Sequence, residues 1–600
     1  MRVVGAAGFE PATLGLEIRC SIRLSYAPMQ YLYHPSRARG VQPEGKTPQS
    51  AARRLARRRT IKRPHTQEYV GRRLSVIYLR SIVLASILAP TPPPAHAQNV
   101  PANNQVPQRS RGRSTVKAAD DAEVKALVND SEELPPEFSA DVSLTLVENG
   151  LVRDKALQLK LLNRAFEKAA ASQDDVMERP FGSNVEETAE GLHAIASTVT
   201  RLNRISLQAR VIQQLVALNP HRARRLFEAM PAPHLTEIPC NQNWYFSPDD
   251  YYKALEAVLK TGFSNGEIAG GDRAAYVSSI TTNTQYHLQL ALITRLLNTA
   301  GFTEQEFRTI MPVYAAAMAQ LHGDPLSFHI LLWRPEGLFD AISTLLTTLP
   351  GHNIDSRPLL HAFRDYVVLN FKGANCGTPK FSIDPETGLP TPIVRFNETF
   401  AARLKAANLA SIRIEEIKTD AITTGDPPPP LARWNSPKYS QLLLAVQNLN
   451  PSPKDDGDPK DEDPQWLSKA QDVLTQLNSW SNEGEAEPES DFFHQKAILL
   501  GGLARRTIGT PLNPDALDSF VQFLEQNSYD EVSPIDWFVS VKLVFRMHAA
   551  QSGSRADLTH FIDSRNPVLS VYGRLQFLLQ SAKQAPSDKG ATQPAGRDRK

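Results

Sequence analysis

From about residue 118 to residue 372 apolar side chains recur every three or four positions almost without a break, and a period held that long commits the chain to helices. Ile205, Ala209, Ile212 and Val216 form one stripe, and Leu207, Val211, Leu215 and Leu218 form a second on the same segment. Tyr286, Leu290, Ile293 and Leu297 do the same beside Leu288, Leu292 and Leu296. Helices apolar over so much of their circumference must be covered on two sides.

The boundaries between these segments carry their own chemistry. Asn219-Pro220 suits an N-cap followed by proline at the first helical position, opening His221-Arg-Ala-Arg-Arg-Leu-Phe-Glu-Ala-Met230. Thr303-Glu-Gln-Glu306 fits a capping box, after Gly301 has closed the preceding helix. Short helices joined by tight turns favour antiparallel hairpins stacked side by side, and no fixed repeat length survives counting. The expected class is therefore all-α, an irregular α-solenoid or stack of helical hairpins. At most one small β-hairpin is expected, near 380–396, where Lys380-Phe-Ser-Ile383 and Ile393-Val-Arg-Phe396 flank Asp384-Pro-Glu-Thr-Gly388. Pro390 and Pro392 would confine its second strand to an edge.

The helical array is expected over 118–424, followed by a stiff Pro-rich linker at 425–433 and a second helical region at 434–580. Inside the latter, Lys454-Asp-Asp-Gly-Asp-Pro-Lys-Asp-Glu-Asp463 reads as a solvated charged loop. The segment after it has Trp466, Ala470, Val473, Leu477 and Trp480 at helical spacing. Asn513-Pro514 and Ser533-Pro534 again look like a cap followed by proline. Residues 581–600 are polar and read as a disordered tail.

The N-terminal part is different in kind. Residues 70–97 have the layout of a secretory signal peptide: Arg72, Arg73 and Arg80, a short apolar run Ser81-Ile-Val-Leu-Ala-Ser-Ile-Leu-Ala89, and Ala95-His-Ala97 as a small-x-small cleavage site before Gln98. The run is too short to cross about 30 Å of hydrocarbon. A signal peptide belongs at an N-terminus, so residues 1–69 read as a mis-assigned extension, with Val70 the favoured start. Gly5-Ala-Ala-Gly-Phe-Glu-Pro-Ala-Thr13 and Ile22-Arg-Leu-Ser-Tyr-Ala-Pro28 resemble peptides translated through a structural-RNA gene. Residues 98–117 read as a disordered spacer.

This division matters for charge. Residues 1–97 hold 16 of the 66 Lys/Arg and 4 of the 64 Asp/Glu, which leaves 50 against 60, a net −10, for residues 98–600. A negative body argues against non-specific nucleic-acid binding and against docking on anionic lipid. No run after residue 97 is long and apolar enough to span a membrane, so no stable insertion is expected once the leader is removed. Two cysteines remain there, Cys240 and Cys376, both in loop-like surroundings. Export would let them form one disulfide, closing a loop of about 136 residues worth at most roughly 5 kcal/mol. Two thiolates are too few for a Cys-only zinc site.

Two clusters carry residue types that could do chemistry. In Asn241-Gln-Asn-Trp-Tyr-Phe-Ser-Pro-Asp-Asp-Tyr-Tyr252, Trp244 and Tyr245 could line a sugar site with Asp249 or Asp250 as an acid. The competing structural explanation is Ser247 as N-cap, Pro248 at the first helical position and two acids at the positive helix end. In Leu321-His-Gly-Asp-Pro-Leu-Ser-Phe-His-Ile330, His322, Asp324 and His329 are metal-ligand types, but their spacing matches no established metal motif and suits a helix end and turn. His548, four residues after Val544 on an apolar stripe, reads as a satisfied core or rim histidine. Nucleophile-elbow, phosphate-loop and dinucleotide motifs are absent, and no cofactor or metal is implied.

Trp434-Asn-Ser-Pro-Lys-Tyr439 and Phe492-Phe-His-Gln-Lys496 resemble stretches of exported helical proteins of soil bacteria, a resemblance that brings no activity with it. The expectation is a non-enzymatic, exported, soluble helical scaffold of the cell envelope that binds another envelope protein or peptide. The alternative is an envelope enzyme on a helical array, acting on cell-wall glycan.

Overall fold

The computed structural model describes residues 121–181, 188–238, 242–333, 337–372, 384–417, 436–449, 464–482, 488–527, 532–550 and 555–584. The expected leader and spacer, Cys240, Cys376, the expected linker at 425–433 and the expected charged loop at 454–463 lie outside the described residues.

The chain opens with α1 (Asp121–Asp130), α2 (Pro136–Glu148) and α3 (Lys155–Ala169). A short strand β1 (Met177–Pro180) precedes α4 (Ala189–Thr200), α5 (Arg204–Leu218) and α6 (Pro220–Ala229), and β2 (Trp244–Ser247) leads into α7 (Asp249–Thr261). Then follow α8 (Asn265–Gly270), α9 (Asp272–Thr282), α10 (His287–Thr299), α11 (Glu304–Gln320), α12 (Pro325–Trp333), α13 (Leu338–Thr348) and α14 (Arg357–Lys372). Next are α15 (Thr391–Ala406), α16 (Ile414–Ile417), α17 (Pro437–Gln447), α18 (Pro464–Ser479) and α19 (Glu489–Arg506). The last four are α20 (Asn513–Gln526), α21 (Pro534–Ala550), α22 (Thr559–Ile562) and α23 (Pro567–Gln584), so helix continues past residue 580. The fold is all-α with one two-stranded sheet. Among the described residues no helix is long and apolar enough to cross a membrane.

Helices pack on their successor and on the helix two or three further along. Thus α3 lies on both α2 and α5, α5 on α6 and α7, α7 on α10, and α9 on α11. This is how stacked hairpins bury a helix on two sides. In α5, Ile205, Leu207, Ala209, Val211, Ile212 and Leu215 are all buried, as its double stripe requires. The side chain of Asn219 accepts from the backbone N–H of Arg222 with Pro220 at the helix start. Thr303 and Glu306 form the expected capping box, and Gly301 has the left-handed φ of +70° that ends α10. Ser533 caps α21 through the N–H of Asp536 at 3.3 Å.

The array also joins its ends. α21 packs on α4, and α23 packs on α1 and α2. At this closure Phe138 of α2 meets Phe538, Trp537 and Tyr572 edge-on, with ring centroids 5.2, 6.4 and 6.0 Å away. Burying each such side chain stabilises by about 1.5–3 kcal/mol. Asp141 of α2, wholly buried, ties the same helices together. It accepts from Arg210 Nη1 at 2.7 Å and from the Tyr572 hydroxyl at 2.8 Å, with Lys542 Nζ at 3.4 Å. Burial alone would raise its pKa, but the two cations and their hydrogen bonds hold it below the ordinary carboxylate range.

Two local expectations need correction. The second arm of the expected hairpin, Ile393-Val-Arg-Phe396, is helical, in α15; the first arm lies outside the described residues. Ile393, Phe396, Phe400 and Leu404 are spaced for a helix and all buried, and Pro390 and Pro392 sit at the helix start, where neither needs an N–H. Asn513 is also not an N-cap: α20 begins at that residue, and its amide donates instead to Ala504 O and Thr507 Oγ1.

Candidate functional site: the charged corner of β1, α4 and α7

The sheet lies where sequence periodicity offers no signal. β1 runs antiparallel to β2 with Met177 opposite Ser247, Glu178 opposite Phe246, Arg179 opposite Tyr245 and Pro180 opposite Trp244. Its outer edge is covered by hydroxyls of α4: Ser197 Oγ accepts from Glu178 N–H at 3.0 Å, and Thr198 Oγ1 donates to Glu178 O at 3.0 Å. Alternation along β2 buries Tyr245 and leaves Trp244 and Phe246 half-buried on the other face, edge-to-face at 5.2 Å.

The aromatic–acidic cluster is therefore assembled as a strand followed by a helix. That helix starts one residue later than expected. Pro248 is the N-cap and Asp249 the first helical residue, and Ser247 belongs to β2. Both carboxylates are engaged. Asp249 pairs with Arg179 at 2.9 Å. Asp250, 2% exposed, takes two bonds from Arg201, at 3.2 Å from Nε and 2.8 Å from Nη2. Burial would raise the Asp250 pKa, but Arg201 and Lys253 override it and hold it below the usual range. Arg201 ends α4 with a left-handed φ of +55°, a conformation that this clamp helps to hold.

A second group of charges, not singled out in the sequence, lies on the other side of β1. His193 of α4 places Nδ1 at 3.0 and 2.9 Å from the two oxygens of Asp536 on α21, and Nε2 at 3.7 Å from Asp174. Burial disfavours the imidazolium, but the bond and charge of Asp536, with Glu178 and Asp174, push its pKa up to about 9. Glu178 is pushed up to about 7, first by burial and then by Asp174, Asp536 and Glu190, against the opposing His193. Asp174 is raised mainly by burial, and so is Glu137 of α2, to which Asp174 adds. His193 and Asp536 stand 343 positions apart, and no local pattern links them.

The histidine–aspartate segment resolves as a turn. His322 is exposed and its Nδ1 lies 2.7 Å from Gln320 O. Gly323 and Asp324 take φ of +91° and +42°, and Pro325 begins α12. Asp324 accepts from the Ser327 hydroxyl and from its N–H at 3.3 Å; burial nevertheless raises its pKa to about 6. His329 is buried against the Phe181 ring at 6.0 Å, and burial pushes it down to about 4. Each of the three turns to a different neighbour. Among the described residues no group of three or more His, Cys, Asp or Glu is placed to hold a metal. His548 is 2% exposed between Asp557 (3.2 Å) and Gln580 (3.0 Å), a satisfied core histidine.

Comparison with known proteins finds no matching family, no matching curated protein and no matching solved structure.

Proposed function

We propose that this chain is an exported helical scaffold of the cell envelope that binds another envelope protein or peptide and carries out no catalysis of its own. The observation behind this reading is the fate of the two carboxylates best placed by sequence to act as acids. Asp249 and Asp250 are each taken up by an arginine, and Asp250 is held ionised, the wrong state for donating a proton. Export rests on the signal-peptide layout of residues 70–97, and the net −10 charge of residues 98–600 argues against nucleic acid or anionic lipid as the partner. It also makes a Cys240–Cys376 disulfide part of the proposal.

The test is an intact mass of the protein from its host, before and after reduction. A chain starting at Gln98 that gains two hydrogens on reduction supports export and the bridge. A mass that includes residues 1–97 overturns both. Cross-linking in intact cells, followed by identification of what is joined, then tests the scaffold: recovery of the chain joined only to itself counts against it.

One observation favours the enzyme alternative. Glu178, near 7, and Asp324, near 6, are carboxyls that keep a proton close to neutral pH, as a general acid must. Release of fragments from purified cell wall, abolished by Glu178→Gln or Asp324→Asn in a folded protein, would establish that reading over the scaffold.

A further inference from the structure

α4 is attached differently from its neighbours. Its buried apolar side chains Leu192, Ile195 and Val199 form a small seam of their own against Ile498 of α19 and Val539 and Leu543 of α21. Ala196 of the same helix belongs instead to the continuous core that joins the other helices, and Val539 touches both. Three such side chains supply only a few kcal/mol, about 1.5–3 each. To this apolar seam His193 adds an ionic link between α4 and α21.

The geometry of that contact favours a cation. Carboxylates face both ring nitrogens, Asp536 at Nδ1 and Asp174 at Nε2. A neutral imidazole carries one N–H and one lone pair, so one nitrogen would then point a lone pair at a carboxylate. The imidazolium donates to Asp536 and is also attracted by Asp174, whose oxygen at 3.7 Å is at ion-pair rather than hydrogen-bond distance.

We propose that α4 is a latch released by loss of the His193 proton. The imidazolium holds α4 on α21; when that proton passes to base in the solvent, the α4–α21 seam opens while the rest of the array stays folded.

The surrounding charges decide the direction. Glu190 lies on α4 itself and Glu178 on β1, whose neighbour Arg179 is already bound to Asp249. Before β1 come Asp174 and Asp175, the latter paired with Arg204 at 2.5 Å. Beyond Asp174, α2 adds Glu137. α19 brings Asp491 and His494, and α21 brings Asp536, with Lys542 further along bound to Asp141. β2 contributes no carboxylate or cation. Without the imidazolium, Asp174, Glu178, Glu190 and Asp536 repel one another across the joint.

His193, Glu178 and Asp174 all bind protons more tightly in the closed form, so closure takes up protons and weakens as pH rises. The His193 contribution is complete below its ordinary 6.5 and lost as pH rises through about 9. Glu178 already works against closure from its ordinary 4.5 up to about 7. His494, which burial and His193 keep neutral, opposes closure only in acid, when it charges.

Hydrogen–deuterium exchange of the full chain at pH 7 and pH 10, corrected for the intrinsic chemical rate, tests the latch. Amides of residues 189–200 are expected to lose protection at least about tenfold at pH 10, the factor that one unit of proton linkage supplies. Residues 205–215 of α5 and 516–524 of α20 keep theirs. His193→Lys, which carries its charge past pH 9, is expected to stay latched at pH 10, and His193→Gln to be open at pH 7. Equal protection of 189–200 at both pH values in the unaltered protein overturns the proposal. So does a His193→Lys variant that opens as readily as the unaltered chain. Should His193→Gln fail to fold, the first two comparisons still decide.

Discussion

Replacing Arg210 by Met probes the joint between the first and last helices. Arg210 donates to Asp141 at 2.7 Å and to both oxygens of Glu148, at 3.1 and 2.7 Å. Glu148 is about a quarter exposed and can turn to water, whereas Asp141 is fully buried and cannot. The variant leaves Asp141 with Lys542 and the Tyr572 hydroxyl only. Removing one partner of a buried ion pair costs about 3–5 kcal/mol, a large part of a typical total stability of about 5–15 kcal/mol. The assay is the urea midpoint followed by far-UV circular dichroism, read for Arg210→Met and for the double variant Asp141→Leu with Arg210→Met. Because Asp141 is then left fully buried with Lys542 as its one cation, whereas Lys542, 28% exposed, can turn to water once the carboxylate is gone, the double variant is expected to be more stable than the single one. A single variant within about 1 kcal/mol of the unaltered protein, or a double variant less stable than Arg210→Met, would refute this account. The pH dependence obeys the same logic. The folded-state pKa of Asp141 is depressed, so its stabilisation is present above its ordinary 3.8 and is lost as pH falls below that towards its lower folded value.

Asp250→Asn is expected to lower the melting temperature through a loss of about 1–3 kcal/mol, because the buried clamp from Arg201 loses its charge. Its effect should shrink as pH falls below the ordinary 3.8 towards the lower folded-state value, over which range the stabilisation from the ionised carboxylate is lost; thermal melts at two pH values check this. Gly573→Ala should destabilise by about 1–3 kcal/mol in chemical unfolding, since a Cβ there would sit 2.9 Å from the Ile562 nitrogen and from Phe561 Cβ. Thr303→Ala should cost about 1 kcal/mol as a lost cap, and Glu306→Gln more, because Glu306 also holds buried Arg273 through two 2.7 Å bonds. Urea midpoints of the two variants in parallel give the order.

The helices were legible because the signals that make them are local. A double apolar stripe such as that of α5, Asn219 before Pro220, and the Thr303–Glu306 box each act within one or two turns, so neighbouring residues suffice to read them. The β1–β2 pair was not legible: four-residue strands carry only two periods of alternation, and β1 reads Met-Glu-Arg-Pro with no apolar face. The same local limit produced the error at Ile393-Val-Arg-Phe396, where β-branched and aromatic residues suggest a strand until the spacing on to Phe400 and Leu404 is counted. At the charged corner the sequence identified Asp249 and Asp250 as unusual but not the arginines that hold them. Arg179 and Arg201 lie on other elements, and His193 meets Asp536 only through the closure of the whole array.

That closure has a consequence for how the protein is made. Chains emerge from the ribosome N-terminus first, at about 5–20 residues per second, and their early parts begin to fold as they appear. Here the N-terminal helices cannot finish. Asp141 waits for Tyr572, 431 positions downstream, and Asp130 for Arg574, 444 positions downstream. For the better part of a minute of synthesis Phe138 lacks Trp537, Phe538 and Tyr572, and a chain truncated before α21 lacks all three. The order of translation thus leaves part of the apolar surface of the first helices to be covered by α21 and α23, and a chain broken before them keeps that surface open to chaperones and proteases.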